Sequence, residues 1–147
     1  MSLTKTATLQ PIPYISFNGN CAEAVEFYAK TLGGTILSKM TFGQMPGAEQ
    51  MPPDIADRIV NIQLELPGGQ WLYAGDCPPH MTFNGIHGIG LALNFDTVEE
   101  AESIFNLLAE GGEVNMPFAP TFWAEKFGMV TDKYGVDWMI NGVLQKM

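Results

Sequence analysis

The sequence predicts an α+β domain built from two copies of one β-α-β-β-β module, and three observations carry that expectation. Strand and helix patterns occur in the same order in both halves. Phe17 and Phe95, Phe27 and Phe105, Gly33 and Gly111, and Gly34 and Gly112 are each 78 residues apart. The chain of 147 residues is 46% hydrophobic, which suits one domain with one core. A supersecondary unit recurring at a fixed offset is a signal of architecture. The repeat is one of elements rather than of every side chain, because Ile104 falls opposite Glu26 and Leu108 opposite Lys30. The modules are expected over about 11–76 and 89–143, joined by a linker at 77–88. One such module leaves a sheet face uncovered. Two side by side predict a curved mixed sheet with its helices outside, and a concave face where ligands commonly bind.

The elements follow in order. Pro13 to Phe17 is a short strand rich in β formers. Asn18-Gly19-Asn20 is turn chemistry, with Asn20 as an expected helix N-cap. Val25, Tyr28, Ala29 and Leu32 form a helical stripe that Gly33-Gly34 ends. A strand is expected from Thr35 to about Thr41. Phe42 to Asp57 holds Gly43, Pro46, Gly47, Pro52 and Pro53 and reads as a long loop. Arg58 to Leu66 and Gln70 to Ala74 read as a hairpin around Pro67-Gly68-Gly69. The second half opens with a strand from Leu91 to Phe95 and an Asp96-Thr97 cap. Ala101, Ile104, Phe105 and Leu108 form its helical stripe, ended by Gly111-Gly112. There follow a short strand near Val114, a loop at Pro117 and Pro120, a strand near Met129-Val130, a turn at Lys133-Tyr134-Gly135, and a last strand from Asp137 to Val143.

Composition narrows the partners. Seven basic against 16 acidic residues give a net charge of -9, which repels phosphate backbones and anionic lipid. Nucleic acid and membrane are therefore not expected partners; a small molecule is. No run has the length of a membrane span, and Met1 to Gln10 lacks an apolar stretch of signal-peptide length. Cys21 and Cys77 form no Cys-x-x-Cys, so no disulfide framework is expected and a cytoplasmic location is.

Few residues carry obvious chemistry. Asp76, His80 and His87 are the nearest thing to a metal-ligating set, but their spacing matches no zinc pattern, and exposed linker residues are the simpler reading. Cys21 opens a helix without a nearby histidine, which favours a buried small residue over a nucleophile. Most aromatics of the last third read as core. Phe122 and Trp123 differ, because they follow Pro120 in a loop, where they can wall a pocket or an interface. Phe42 and Met45 are the matching pair on the first long loop. Strand alternation sends Ile15 and Phe17 to the core and Tyr14 and Ser16 to the cleft. Asn61 and Gln63 stand opposite Ile62, Leu64 and Leu66, and periodicity alone leaves their face as cleft or solvent. Asp132 reads as a turn former.

Pro13-Tyr-Ile-Ser-Phe-Asn-Gly-Asn-Cys-Ala-Glu-Ala-Val-Glu-Phe-Tyr28 with Leu32-Gly-Gly34 resembles the opening of the PhnB-like branch of the vicinal-oxygen-chelate superfamily. Thr121-Phe-Trp-Ala124, Phe127-Gly128 and Thr131-Asp-Lys-Tyr-Gly-Val-Asp-Trp-Met-Ile-Asn141 extend the resemblance over nearly the whole chain. That superfamily includes glyoxalase I, bleomycin-resistance proteins and extradiol dioxygenases. The resemblance implies paired β-α-β-β-β modules, a homodimer, and a pocket inside the curved sheet. Metal-using members carry His, Gln or Glu on the first and last strands of each module. Here Pro13, Gly90 and Met139 stand at those positions, with Gly75 or Asp76 at the fourth. The first three cannot ligate a hard divalent cation, so no cofactor is expected. Members of the branch are often labelled as methyltransferases, but Gly85-x-x-Gly88-x-Gly90 precedes a strand rather than a helix and makes no cofactor cradle.

Two functions follow as expectations. One is a metal-free small-molecule-binding protein with Tyr14, Ser16, Phe42, Met45, Asn61, Asp76, Phe122, Trp123 and Met139 in its pocket. The other is a glyoxalase-like lyase, isomerase or dioxygenase with an atypical metal site, or with Asp76, His87, Tyr14 or Glu125 as acid or base.

Overall fold

Each half of the chain closes its sheet by bringing its first strand beside its last. The computed structural model describes residues 10–146. In the first module β1 (Tyr14–Phe17) runs parallel to β4 (Gln70–Asp76), and β3 (Ile59–Leu66) and β2 (Thr35–Thr41) continue antiparallel, in the order β1-β4-β3-β2. The second module repeats this as β5 (Gly90–Phe95), β8 (Asp137–Leu144), β7 (Ala124–Thr131) and β6 (Glu113–Ala119), in the order β5-β8-β7-β6. The chain crosses over each sheet through a helix, α1 (Cys21–Leu32) or α3 (Val98–Ala109), each of 12 residues. The expected two-module α+β architecture is thus present. The strands resolve into two four-stranded mixed sheets, with β1 and β5 both at sheet edges.

Three local details differ from the sequence reading. The 42–57 stretch holds a 3₁₀ turn at Phe42–Gln44 and a short helix, α2 (Pro53–Ala56). The strand expected near Val114 runs through Pro117 to Ala119. An edge strand tolerates that proline because one side of it needs no N–H, and its pairing with β7 shifts register twice. Asn20 occupies the N-cap position of α1 but its side chain caps nothing. Asp76, from the far end of β4, does that work: its Oδ1 accepts from the N–H groups of Gly19 (2.7 Å) and Cys21 (3.1 Å), and its Oδ2 from that of Ile59 (2.8 Å). Asp76 thereby ties the ends of three elements together. Two other caps are as expected, whereas α3 ends at Glu110 in extended backbone (φ -62°, ψ 122°), one residue before Gly111. Gly33 ends α1 in the left-handed conformation, φ 76°, and Thr97 accepts from the N–H of Glu100 at the start of α3.

One core serves both modules. Ile15, Phe17, Ile62, Leu64, Leu72 and Ala74 face α1, while Val130, Trp138 and Ile140 join Ala101, Phe105 and Leu108 of α3 in the same buried cluster. Tyr28 crosses between the modules. Its ring meets Trp138 at 5.4 Å, edge to face, and its hydroxyl donates to Asp132 Oδ2 at 2.6 Å. Asp132 is buried and also accepts from Trp138 Nε1 (2.8 Å) and from the N–H groups of Tyr134 (2.8 Å) and Val136 (3.1 Å). It is the turn former the sequence implies, and it is the intermodule anchor as well.

This core makes the fold sensitive to alkali. Burial, followed by the Asp76 charge, pushes the Cys21 thiol up to about 12 from its ordinary value near 9.0. Burial, followed by the Asp132 charge, pushes the Tyr28 hydroxyl far above its ordinary range. Both hold their protons more tightly in the folded chain than in the unfolded one. Their stabilising effect is complete below about pH 9 and is lost as pH rises and the unfolded chain ionises first. We expect the melting temperature to fall steeply between pH 9 and pH 11, and Cys21→Ser or Tyr28→Phe to flatten that fall. A melting temperature that is level across this range would contradict the burial of these groups.

Candidate functional site

The face of each sheet that is turned away from the helices is the candidate site. Strand alternation decides its members, because register partners share a face. In the first module Tyr14, Tyr73, Gln63 and Ser38 form one row, and Ser16 and Gly75 another. Asn61, paired with Met40, joins them. Tyr14 and Ser16 are therefore on the open face, as alternation implies. The Tyr14 hydroxyl donates to Val60 O at 2.9 Å and lies over Gly75, where any Cβ would meet that hydroxyl and, at 2.6 Å, the Val60 carbonyl. The glycine lets the phenol ring lie across the sheet. Burial, then the charges of Cys21 and Asp76, raises the Tyr14 pKa, so the phenol stays protonated at neutral pH.

The open face of the second module carries three rows. These are Gly90–Asp137–Thr131, then Ala92–Met139–Met129–Met116, then Asn94–Asn141–Phe127–Ala119. The third row is roofed by the turn that precedes β7. Thr121 closes this turn: its N–H donates to Ala124 O (3.2 Å) and its Oγ1 accepts from the N–H of Ala124 (3.2 Å). Phe122 is left at the tip, 77% exposed. Trp123 folds back over the sheet, edge to face with Phe122 (4.9 Å) and with Phe127 (5.0 Å). Its carbonyl accepts from the N–H of Gln145 at 2.8 Å, and its Nε1–H donates to Asn141 Oδ1 at 3.1 Å. Asn141 Nδ2 donates in turn to Asn94 Oδ1 at 2.9 Å.

The sequence candidates divide on these facts. Phe122, Trp123 and Met139 share the open face of the second sheet, and Tyr14, Ser16 and Asn61 that of the first. Phe42 and Met45 lie beyond β2, the edge strand of the first module, and not in the module that holds the Phe122 cluster. Asp76 is corrected: it is register partner to Phe17 on the helix side, and backbone N–H groups engage both its oxygens. Pro13 is corrected as well. It shares the parity of Ile15 and Phe17, so the open-face position on the first strand is Tyr14. Asp76, His80 and His87 do not assemble; among the described residues no three His, Cys, Asp or Glu side chains are grouped to hold a metal ion. His80 is exposed, whereas His87 lines a small recess beside Tyr14 and Ser16. Asn94, Asn141 and Phe127 escaped the sequence reading. The signal for Asn94 was available in β5, where Ala92 and Asn94 alternate with Leu91, Leu93 and Phe95.

A second recess, of about 1150 Å³, separates the modules along the free edge of β5. Its lining is mixed: Leu32, Leu66, Leu91 and Ile104 are joined by Asn94, Asp96 and Glu100.

The donor set tests the metal that the superfamily fold implies. At the equivalent strand positions the open faces present a phenol (Tyr14), no side chain (Gly75, Gly90) and a thioether (Met139). Hard divalent ions require carboxylate, imidazole or carbonyl donors, so these residues do not fit one.

Comparison with known proteins gives one consistent result. Residues 10–141 match the family described as 3-demethylubiquinone-9 3-methyltransferase. The chain is 40% identical over 144 residues to protein YjdN of Escherichia coli K12, covering 91% of this chain and 95% of that protein. It is similar to the crystal structure of protein PA1353 from Pseudomonas aeruginosa, with 47% identity, a TM-score of 0.83, and coverage of 91% and 97%. It is also similar to a putative 3-demethylubiquinone-9 3-methyltransferase, PhnB protein, from Bacillus cereus, with 25% identity, a TM-score of 0.75, and coverage of 90% and 98%. Solved structures at 12% identity share the fold, among them a glyoxylase/bleomycin resistance protein/dioxygenase domain from Frankia and the fosfomycin resistance protein FosX from Listeria monocytogenes.

Proposed function

Because this chain belongs to the 3-demethylubiquinone-9 3-methyltransferase family, the PhnB-like branch of the vicinal-oxygen-chelate superfamily, we propose that it binds a small molecule on the open faces of its sheets, without the superfamily's metal. The carrying observation is the Phe122–Trp123–Phe127 cluster. A tight turn fixes it over a sheet face, yet it leaves Phe122 77% exposed. Trp123 covers Phe127, which is 7% exposed, but leaves Phe122 open. A second copy of the chain, laid over the open face, would enclose the cluster and complete a pocket, in keeping with Tyr14, Met40 and Met116, which also remain exposed. The cytoplasm is the expected compartment, and no helix of the described residues is long and apolar enough to cross a membrane.

The methyl-transfer activity in the family's description has no support in the glycines that sequence reading singled out. Gly85 and Gly88 take positive φ and lead through Gly90 into strand β5 rather than directly into a helix, unlike a strand–loop–helix cofactor cradle.

Naphthalene, a neutral flat probe, tests the reading through quenching of tryptophan fluorescence. Phe122→Ala and Trp123→Ala are expected to weaken its binding about tenfold or more while leaving the far-UV circular dichroism unchanged. Unaltered affinity in both variants would remove the cluster from the site.

A further inference from the structure

We infer that Asn94 is the polar anchor of this aromatic site and that the ligand it selects is a flat aromatic compound without negative charge that bears a carbonyl acceptor. The inference rests on the binding reading above and specifies its chemistry. An indole N–H only donates, so the atom of Asn141 that meets Trp123 Nε1 at 3.1 Å must be the oxygen. That fixes the Asn141 amide, whose nitrogen then faces Asn94 at 2.9 Å. Asn94 must present its own oxygen there, since two amide nitrogens would oppose donor to donor. Its Nδ2 group is thus turned away from Asn141 and has no partner among the described residues, on an exposed side chain. A donor-only group is held in a set orientation one side chain away from the indole. β8 lies between Asn94 and the indole, and Asn94 also lines the recess along β5, so a flat ligand must extend from Trp123 across Asn141 to place a carbonyl oxygen on this amide at the rim of that recess.

Charge narrows the class further. Lys39 and Lys126 pair with Ile62 and Gly142 in the helix-side rows, and Lys30 is on α1. Arg58 donates to Asn18 and to Cys77 O, while Lys133 sits over the Phe27 ring at 4.9 Å. Lys146 follows the last strand. No described basic residue stands at an open-face strand position, whereas Asp137 and Glu125 do. The site offers an anion no counter-charge and much repulsion. A cationic ring is not repelled, but it meets the Asn94 amide only if it too carries a carbonyl acceptor.

The test is a side-chain amide and indole NMR titration with three probes: coumarin (flat, neutral, with a carbonyl), naphthalene (no acceptor) and coumarin-3-carboxylate (anionic). Coumarin is expected to move the Trp123 indole and Asn94 amide signals and to bind about five- to tenfold more tightly than naphthalene, the worth of one hydrogen bond. Coumarin-3-carboxylate should bind most weakly. Asn94→Asp keeps the acceptor for Asn141 and removes the donors, so it should abolish the preference for coumarin while naphthalene binding persists. Asn94→Ala should do the same. Equal binding of coumarin and naphthalene, or a preference that survives both variants, would overturn the role of Asn94 alone. If neither neutral probe moves the Trp123 signal, the binding reading fails and this inference with it.

Discussion

Replacing Asp132 with alanine is expected to destabilise this protein by about 3–5 kcal/mol and to lower its melting temperature by roughly 10 °C. The carboxylate is 3% exposed and accepts four hydrogen bonds, two from side chains and two from backbone N–H groups. Its removal leaves the Tyr28 hydroxyl and the Trp138 indole buried without an acceptor, and each such orphan costs about 1–3 kcal/mol. The loss also weakens the contact between the modules, because Tyr28 belongs to the helix of the first and Asp132 to a turn of the second. Tyr28→Phe should cost less, about 1–2 kcal/mol, since Asp132 keeps three donors. The two changes share one interaction, so Tyr28→Phe made on top of Asp132→Ala should add little. Urea denaturation of the two single variants and the double variant measures this. Strict additivity would mean that the hydroxyl and the carboxylate do not depend on each other.

Asp76→Ala should be the next most damaging change, at about 2–4 kcal/mol. Its three bonds supply acceptors to the start of α1 and of β3, where α1 has no other side-chain cap. Asp76→Asn is the sharper experiment. The amide retains one acceptor oxygen for Gly19 and Cys21 but turns an NH₂ group toward the N–H of Ile59. Hydrogen exchange should therefore accelerate at Ile59 more than at Cys21 in the asparagine variant, and at both in the alanine variant. Uniform acceleration in both variants would show that Asp76 acts through bulk alone.

What the sequence disclosed and what it hid follow from the range of each interaction. The helices, the Gly33 stop of α1 and the Thr97 cap depend on neighbours within a turn, and they were legible. The module repeat was legible because its markers are glycines and phenylalanines with local roles. Asp76 was not, because the amides it holds belong to Gly19 and Cys21, 57 and 55 residues away. Nothing near it in the chain distinguishes it from a strand-end carboxylate awaiting a ligand. Pro13 was misplaced by a single residue, which in a strand exchanges the two faces. Asn94 escaped because its meaning depends on Asn141, brought alongside only by the β5–β8 register. Phe122 and Trp123 were legible because Pro120 and the absence of a helical or strand period set them apart from the core. The second half of β6 was hidden by Pro117, a strand breaker everywhere except at an edge.

The central claim is that two copies of this chain close a metal-free pocket over the open faces of their sheets. Native mass spectrometry of the purified protein, recorded at low micromolar concentration without chelator, tests it most directly. The expected spectrum shows a dimer of the 16.1 kDa chain with no stoichiometric metal ion. A monomer at that concentration, or one tightly held divalent ion per chain, would contradict the account.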